Sequence, residues 1–242
     1  MKKNMLLSFD KENIDLVKFI KTLNIKIIII SLKSIERKHN NICELCNPLF
    51  LIGGCDFVEK FVNTVFKTEI LDNYYPECLN EYMYRTMNVC TYFEAKQKTL
   101  TNPLFIKPFN DKKKFTGTVI DKYNNKVKCR WTSKVYYTNT ILNFISEYRF
   151  FIIDHKIACY KNYYGDPNIE CNNEIVSSMI EKIKNNDAHK GGSYIIDIGV
   201  LNNGNTALIE MDYGYSFGYY GCDLNIVIEL LEKSFKNLTN II

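Results

Sequence analysis

A chain of 242 residues, 46% hydrophobic and 24% charged, is long enough for one large domain or two compact ones with a sizeable core. Its net charge of +4 comes from scattered basic residues, the densest run being Lys112-Lys113-Lys114, so no nucleic-acid-binding face is indicated. The most apolar run, Ile27 to Leu32, is too short to span a membrane, and the first ten residues lack the long apolar segment of a secretion signal.

Nine cysteines, an odd number without such a signal, are expected as reduced thiols in a cytoplasmic setting. Cys43 and Cys46 have Cys55 nearby but no second pair at zinc-site spacing, so isolated thiols are the default and zinc the alternative.

Asp10 to Leu23 has helical spacing (Ile14, Val17, Ile20, Leu23), and Ile25 to Leu32 reads as a strand. Leu49 to Gly54 reads as a second strand ending in glycines. Asp56 is a candidate cap for the helix that follows through Phe57, Phe61 and Val65. This alternation implies a small α/β unit with a parallel sheet. The glycine pair fits either an anion site or a plain tight turn.

From about residue 100 the pattern changes to short strands: Leu104 to Lys107, Phe115 to Tyr123, Val127 to Tyr137, Glu147 to Ile153 and Ile157 to Tyr160. Asn139 to Ser146 suits a short helix or an extended link. Glu174 to Asn185 has helical spacing, and Asp223 to Phe235 reads as a helix capped by Asp223.

Tyr194 to Val200 and Thr206 to Asp212 are strand-like and flank Asn202-Asn203-Gly204-Asn205. A two-residue type I′ turn at Asn203-Gly204 places Asp197 opposite Glu210, with Asp212 on the same face and Ile196, Ile198, Ile209 and Met211 on the other. Opposed like charges destabilise a sheet, and burial adds to the penalty. A divalent metal relieves them; an acidic face in water or one protonated acid are the alternatives.

Phe105-Ile106-Lys107-Pro108 sets a lysine at the end of an apolar strand, ahead of a lysine-rich turn into Phe115-Thr116-Gly117. Such a lysine and turn suit phosphates, although a solvated turn has the same composition. Arginine occurs only at Arg37, Arg85, Arg130 and Arg149. Arg149 shares a strand face with Glu147, Phe151 and Ile153. It reads either as a ligand-binding group or as the partner of Glu147 in a structural ion pair. His39, His155 and His189 read as surface residues, and nothing singles out a nucleophile with an activating base.

Taken in order, Ile106-Lys107-Pro108, Lys114-Phe115-Thr116-Gly117, Ser133-Lys134-Val135, Glu147-Tyr148-Arg149-Phe150-Phe151, Tyr194-Ile195-Ile196-Asp197 and Ile209-Glu210-Met211-Asp212 resemble an ATP-grasp domain. They are most similar to the compact phage, viral and bacterial clade with signature arginines and a lysine. The resemblance covers residues 80 to 235. It implies an α+β fold, two subdomains gripping ATP at 79–242, behind a small α/β domain at 1–78.

It further implies an ATP- and Mg²⁺-dependent ligase that activates a carboxylate as an acyl phosphate for attack by an amine or similar nucleophile. The substrate would be a small molecule, amino acid, peptide or protein. Lys107 and Arg149 would act on the reacting phosphate, with Lys107, Lys114, Thr116, Gly117, Ser133, Lys134, Val135 and Glu147 binding ATP. Asp197, Glu210 and Asp212 would hold Mg²⁺. Asp212 stands where the family usually has Asn, and no second phosphate lysine is identifiable; Arg85, Lys96 and Arg130 are candidates for that cation. A nucleotide-binding regulatory module and a phosphotransferase are the alternatives.

Overall fold

The computed structural model describes residues 4–7, 14–37, 48–70, 74–109, 114–124, 127–189 and 191–239. Cys43, Cys46, His39 and Lys112-Lys113 lie outside them, so the zinc reading falls outside the described residues. No helix among them is long and apolar enough to cross a membrane.

The chain begins with three parallel strands, β1 (Asn4–Leu7), β2 (Lys26–Ile29) and β3 (Pro48–Ile52), in the order β2-β1-β3. Helix α1 (Ile14–Thr22), expected from its spacing, and helix α2 (Leu32–Arg37), not expected from the sequence, separate them. The strand expected to reach Leu32 stops at Ile29, because Ser31 turns the chain into α2 by accepting the Ser34 N–H at 3.2 Å. Helix α3 (Cys55–Phe66) follows β3 and buries Phe57, Val58, Phe61 and Val62. Its cap is Gly54, two residues earlier than expected; Asp56 lies inside the first turn and does not cap.

The second sheet is antiparallel, ordered β4-β7-β5-β6: β4 (Asn88–Thr91), β5 (Leu104–Pro108), β6 (Thr118–Ile120) and β7 (Lys134–Thr138). Helix α4 (Tyr92–Lys98) covers one face with Tyr92 and Ala95, against Leu104, Ile106, Ile120 and Val135. Thr91 and Glu94 form a reciprocal capping box at its start. Strands β6 and β7 are shorter than expected. Asp121 accepts the N–H groups of Tyr123 and Asn124 at 2.6 Å each, and that local turn ends β6.

The third sheet is antiparallel and longer, ordered β11-β10-β8-β9, from β8 (Phe144–Ile153), β9 (Lys156–Gly165), β10 (Tyr194–Leu201) and β11 (Thr206–Asp212). Alternation along β8 sends Tyr148, Phe150 and Ile152 to a core under α5 (Asn173–Asn185). Phe151 and Ile153 go to the opposite face. There they join Ile195 of β10, Val227, Leu230 and Phe235 of α6 (Leu224–Thr239), and Phe50, Phe57 and Phe61 of the first unit. This apolar core is continuous across the expected boundary at residue 78. Glu147 and Arg149 lie on that same face, farther along β8, where no helix covers it; a cleft begins there.

Candidate active site

The β10–β11 hairpin positions the acids by a route the turn rule does not foresee. The loop has three residues: Leu201 N–H donates to Asn205 O at 2.8 Å, Gly204 N–H donates to Leu201 O at 2.8 Å, and Gly204 takes a left-handed φ of 84°. A two-residue turn is therefore not formed, and the ladder starts one step out of the expected register. A bulge between Asp197 and Ile198 restores it, so Asp197 does lie opposite Glu210, while Ile198 faces Leu208. Ile209, expected in the core, is the extra residue and lines the cleft; Leu208 takes the core place.

Cations from both sheets meet these acids. Arg149, directly across from Asp197 on β8, donates from Nε to Oδ1 at 2.8 Å and from Nη2 to Oδ2 at 2.7 Å. The two side chains are 14% and 5% exposed, so this is a buried bidentate pair. Burial opposes the charge on Arg149, but the charge and hydrogen bonds of Asp197 outweigh it and hold the guanidinium pKa above its ordinary value. Its Nη1 donates to Gly218 O at 3.2 Å. The alternative Glu147–Arg149 ion pair is not formed, because Asp197 faces the guanidinium squarely.

Lys107 comes from the other sheet. It forms an ion pair with Glu210 across the cleft, and its ammonium lies 3.6 Å from the centre of the Tyr74 ring. Arg85, 9% exposed, stacks over Phe105 at 4.8 Å, and its Nη2 is 3.5 Å from Ile209 O. Burial depresses its pKa, and the nearby Tyr75 and Glu147 offset that in part. Burial likewise pushes the Tyr75 phenol up to about 12.

The cleft between the sheets has a volume of about 1190 Å³, larger than a single-ligand pocket of roughly 300–1,000 Å³. Lys107, Thr116, Gly117, Glu147, Arg149, Asp197, Glu210 and Asp212 all line it. At Gly117 any Cβ would come within 2.8 Å of the Phe105 ring, so glycine lets that loop approach β5. Lys114, Ser133, Lys134 and Val135 are not in the lining. Val135 is fully buried under α4, Lys134 is the first residue of β7, and Ser133 precedes it. The link between the sheets is the extended segment 139–143, and Ile141, Leu142 and Asn143 from it border the cleft.

Among the other candidates, Arg85 reaches the cleft whereas Lys96 and Arg130 do not. The scarcity of arginine was the signal for Arg85. Tyr74, Tyr163 and Tyr220, also in the lining, have no comparable signal in a chain with 17 tyrosines. His155 occupies the β8–β9 turn, but His189 is buried against Tyr194 and Tyr213, not on the surface.

The donor set on this wall is carboxylate oxygen, which suits Mg²⁺. Among the described residues, no three Asp, Glu, His or Cys side chains are grouped to hold a metal, since Arg149 and Lys107 bind two of the acids.

Comparison with known proteins agrees with this architecture. No curated protein matches the sequence. Among solved structures, the ATP-grasp ligase PsnB complexed with minimal precursor is similar at a TM-score of 0.53 and 11% identity, covering 99% of each chain. PsnB complexed with minimal precursor, Mg and ADP gives 0.50 and 11% over 96% of each chain. D-alanyl-alanine synthetase A from Vibrio cholerae gives 0.58 and 10% over 99% of each. At such identities these establish the fold. The family model for the ATP-grasp domain, R2K clade family 2, matches residues 82–230, more than half of the chain, and the protein belongs to that family.

Proposed function

We propose that the chain is an ATP- and Mg²⁺-dependent ligase that activates a carboxylate as an acyl phosphate for attack by an amine or similar nucleophile. The observation that carries this reading is the meeting of Lys107–Glu210 and Arg149–Asp197 in one cleft between two sheets. In this reading Lys107 and Arg85 bind the phosphates and Thr116-Gly117 closes over them. The link at Ile141 to Asn143 borders the base, and Glu147, four residues after Asn143, accepts the ribose hydroxyls. Lys114 flanks the loop. Ser133 to Val135 would support the sheet instead of touching adenine, since Val135 is buried away from the cleft.

Asp197, Glu210 and Asp212 would hold Mg²⁺, which when bound supplies Lewis-acid charge at the phosphates. Arg149, released from Asp197, would stabilise charge on the transferring phosphoryl group or the acceptor. Catalysis then rests on positioning and electrostatics. Arg85 answers the want of a second phosphate lysine, and this favours a ligase over a regulatory nucleotide binder.

The acceptor would be a small molecule, amino acid, peptide or protein, and the setting cytoplasmic. PsnB, similar in fold, has also been solved complexed with precursor peptide PsnA2 and AMPPNP, which makes a peptide the first acceptor class to screen. Turnover should release ADP and phosphate, not AMP, with a new amide in the product. A phosphorylated product without an amide would mean a phosphotransferase. Mg-ATP binding without turnover across a broad acceptor screen would mean a regulatory module.

A further inference from the structure

Three cations line the cleft among the described residues: Arg85, Lys107 and Arg149. Two of them are already paired, Lys107 with Glu210 and Arg149 with Asp197. Arg85 meets no carboxylate at ion-pair distance among those residues, although it is only 9% exposed. Its Nε has no hydrogen-bond partner, and its Nη2 reaches only the Ile209 carbonyl, at 3.5 Å. A buried guanidinium with donors left unmade has lost its hydration without replacement, and an anion in the cleft restores what is missing.

An aromatic ring holds this cation in place. Alternation along β5 sends Leu104 and Ile106 to the core under α4, and Phe105 and Lys107 to the cleft. The Arg85 guanidinium carbon lies 4.8 Å from the centre of the Phe105 ring. Gly117 covers the rim of the same ring: a Cβ there would stand 2.8 Å from Phe105 Cζ and 3.2 Å from Cε2. The ring is thus fixed between Gly117 and Arg85. A guanidinium resting on a π face keeps its in-plane N–H groups free for an anion.

We propose that Phe105 is a positioning residue: its ring holds Arg85 as a preformed anion subsite that takes a polyphosphate without any metal. This rests on the nucleotide reading of the cleft. Lys107 and Arg149 must leave Glu210 and Asp197 before they serve an anion, whereas Arg85 leaves only a long carbonyl contact.

The test is calorimetric titration of sodium tripolyphosphate, in EDTA, into the full chain and into Arg85→Met, Phe105→Leu and the double variant. A hydrogen bond to a charged group is worth about tenfold or more in affinity, so Arg85→Met should lose at least that. Phe105→Leu should weaken binding about threefold or more, because the π face is gone. In the Arg85→Met background, Phe105→Leu should cost nothing further. Phe105→Met, equally without a ring, should repeat this pattern, so a folding defect peculiar to one variant does not decide the outcome. Full affinity in Arg85→Met or in both Phe105 variants would overturn the proposal. So would an equal loss from Phe105→Leu in both backgrounds, which is what a merely structural phenylalanine would give. A wild type that binds Mg-ATP but not metal-free tripolyphosphate overturns it and leaves the nucleotide reading standing. A wild type that binds neither refutes that reading as well.

Discussion

Both hydrogen-bonding edges of the Asp197 carboxylate are taken by one guanidinium, inside a wall where its side chain is 5% exposed. Removing one partner of a buried pair leaves the other charge uncompensated. Asp197→Ala should therefore destabilise the fold by about 3–5 kcal/mol, read as a shift in a urea unfolding midpoint. Glu210 is the cleaner probe of function. Its side chain is 25% exposed, and in Glu210→Gln an amide oxygen still faces Lys107, which keeps the Tyr74 ring, so the midpoint should fall less than in Asp197→Ala while ATP turnover is abolished. Glu147 points the other way. Burial, opposed in part by the nearby Tyr163, raises its carboxyl pKa. A raised pKa favours folding fully below the unfolded value of about 4.3 and loses that contribution as pH climbs above it. Glu147→Gln should thus be more stable than wild type at pH 7, with the gap closing near pH 4. Equal unfolding midpoints at both pH values would count against it.

At the scale of elements, β10 and the inter-sheet link meet at Gly199. A Cβ there would fall 2.1 Å from Phe144 Cδ1, and Phe144 borders the cleft beside Ile141 to Asn143. Gly199→Ala should push that ring into the base-binding end and raise the KM for ATP about tenfold, a loss of about 1.4 kcal/mol. Gly204→Ala is the control. Nothing lies within 4 Å of its added Cβ, so only the left-handed φ is penalised, by about 1 kcal/mol of stability with KM unchanged. The same strands show how much of the site was legible. Alternation correctly placed Glu147 with Arg149 and Asp197 with Glu210 and Asp212, because strand period is local. The Asp197–Glu210 pairing came out right although the turn did not, since the bulge at Ile209 cancels the one-residue error of the loop. The bulge at Ile209 carries no sequence mark. It arises where two strands must satisfy twist and packing together.

For the molecule as a whole, the first unit and the large sheet share one core. A fragment of residues 79–242 would expose Phe151, Ile153, Ile195 and the apolar face of α6, each large side chain worth about 1.5–3 kcal/mol when buried. That fragment should aggregate or melt far below the full chain, measured by differential scanning fluorimetry. The small sheet touches the large one through Lys107–Glu210, Arg85 and the 139–143 link.

The apolar faces of α3, α5 and α6 and the strand faces bearing Arg149, Asp197 and Glu210 were determined by sequence alone, since helical and strand periods depend on near neighbours, whereas β1, α2, β4 and α4 emerged only in the structure. Which charge meets which was decided only in three dimensions. Arg149 chose Asp197 over Glu147, Lys107 crossed from another sheet to Glu210, and Arg85 arrived from a loop 124 residues before its Ile209 contact. Partners that distant in the chain are selected by how the sheets pack, and no local pattern encodes that packing.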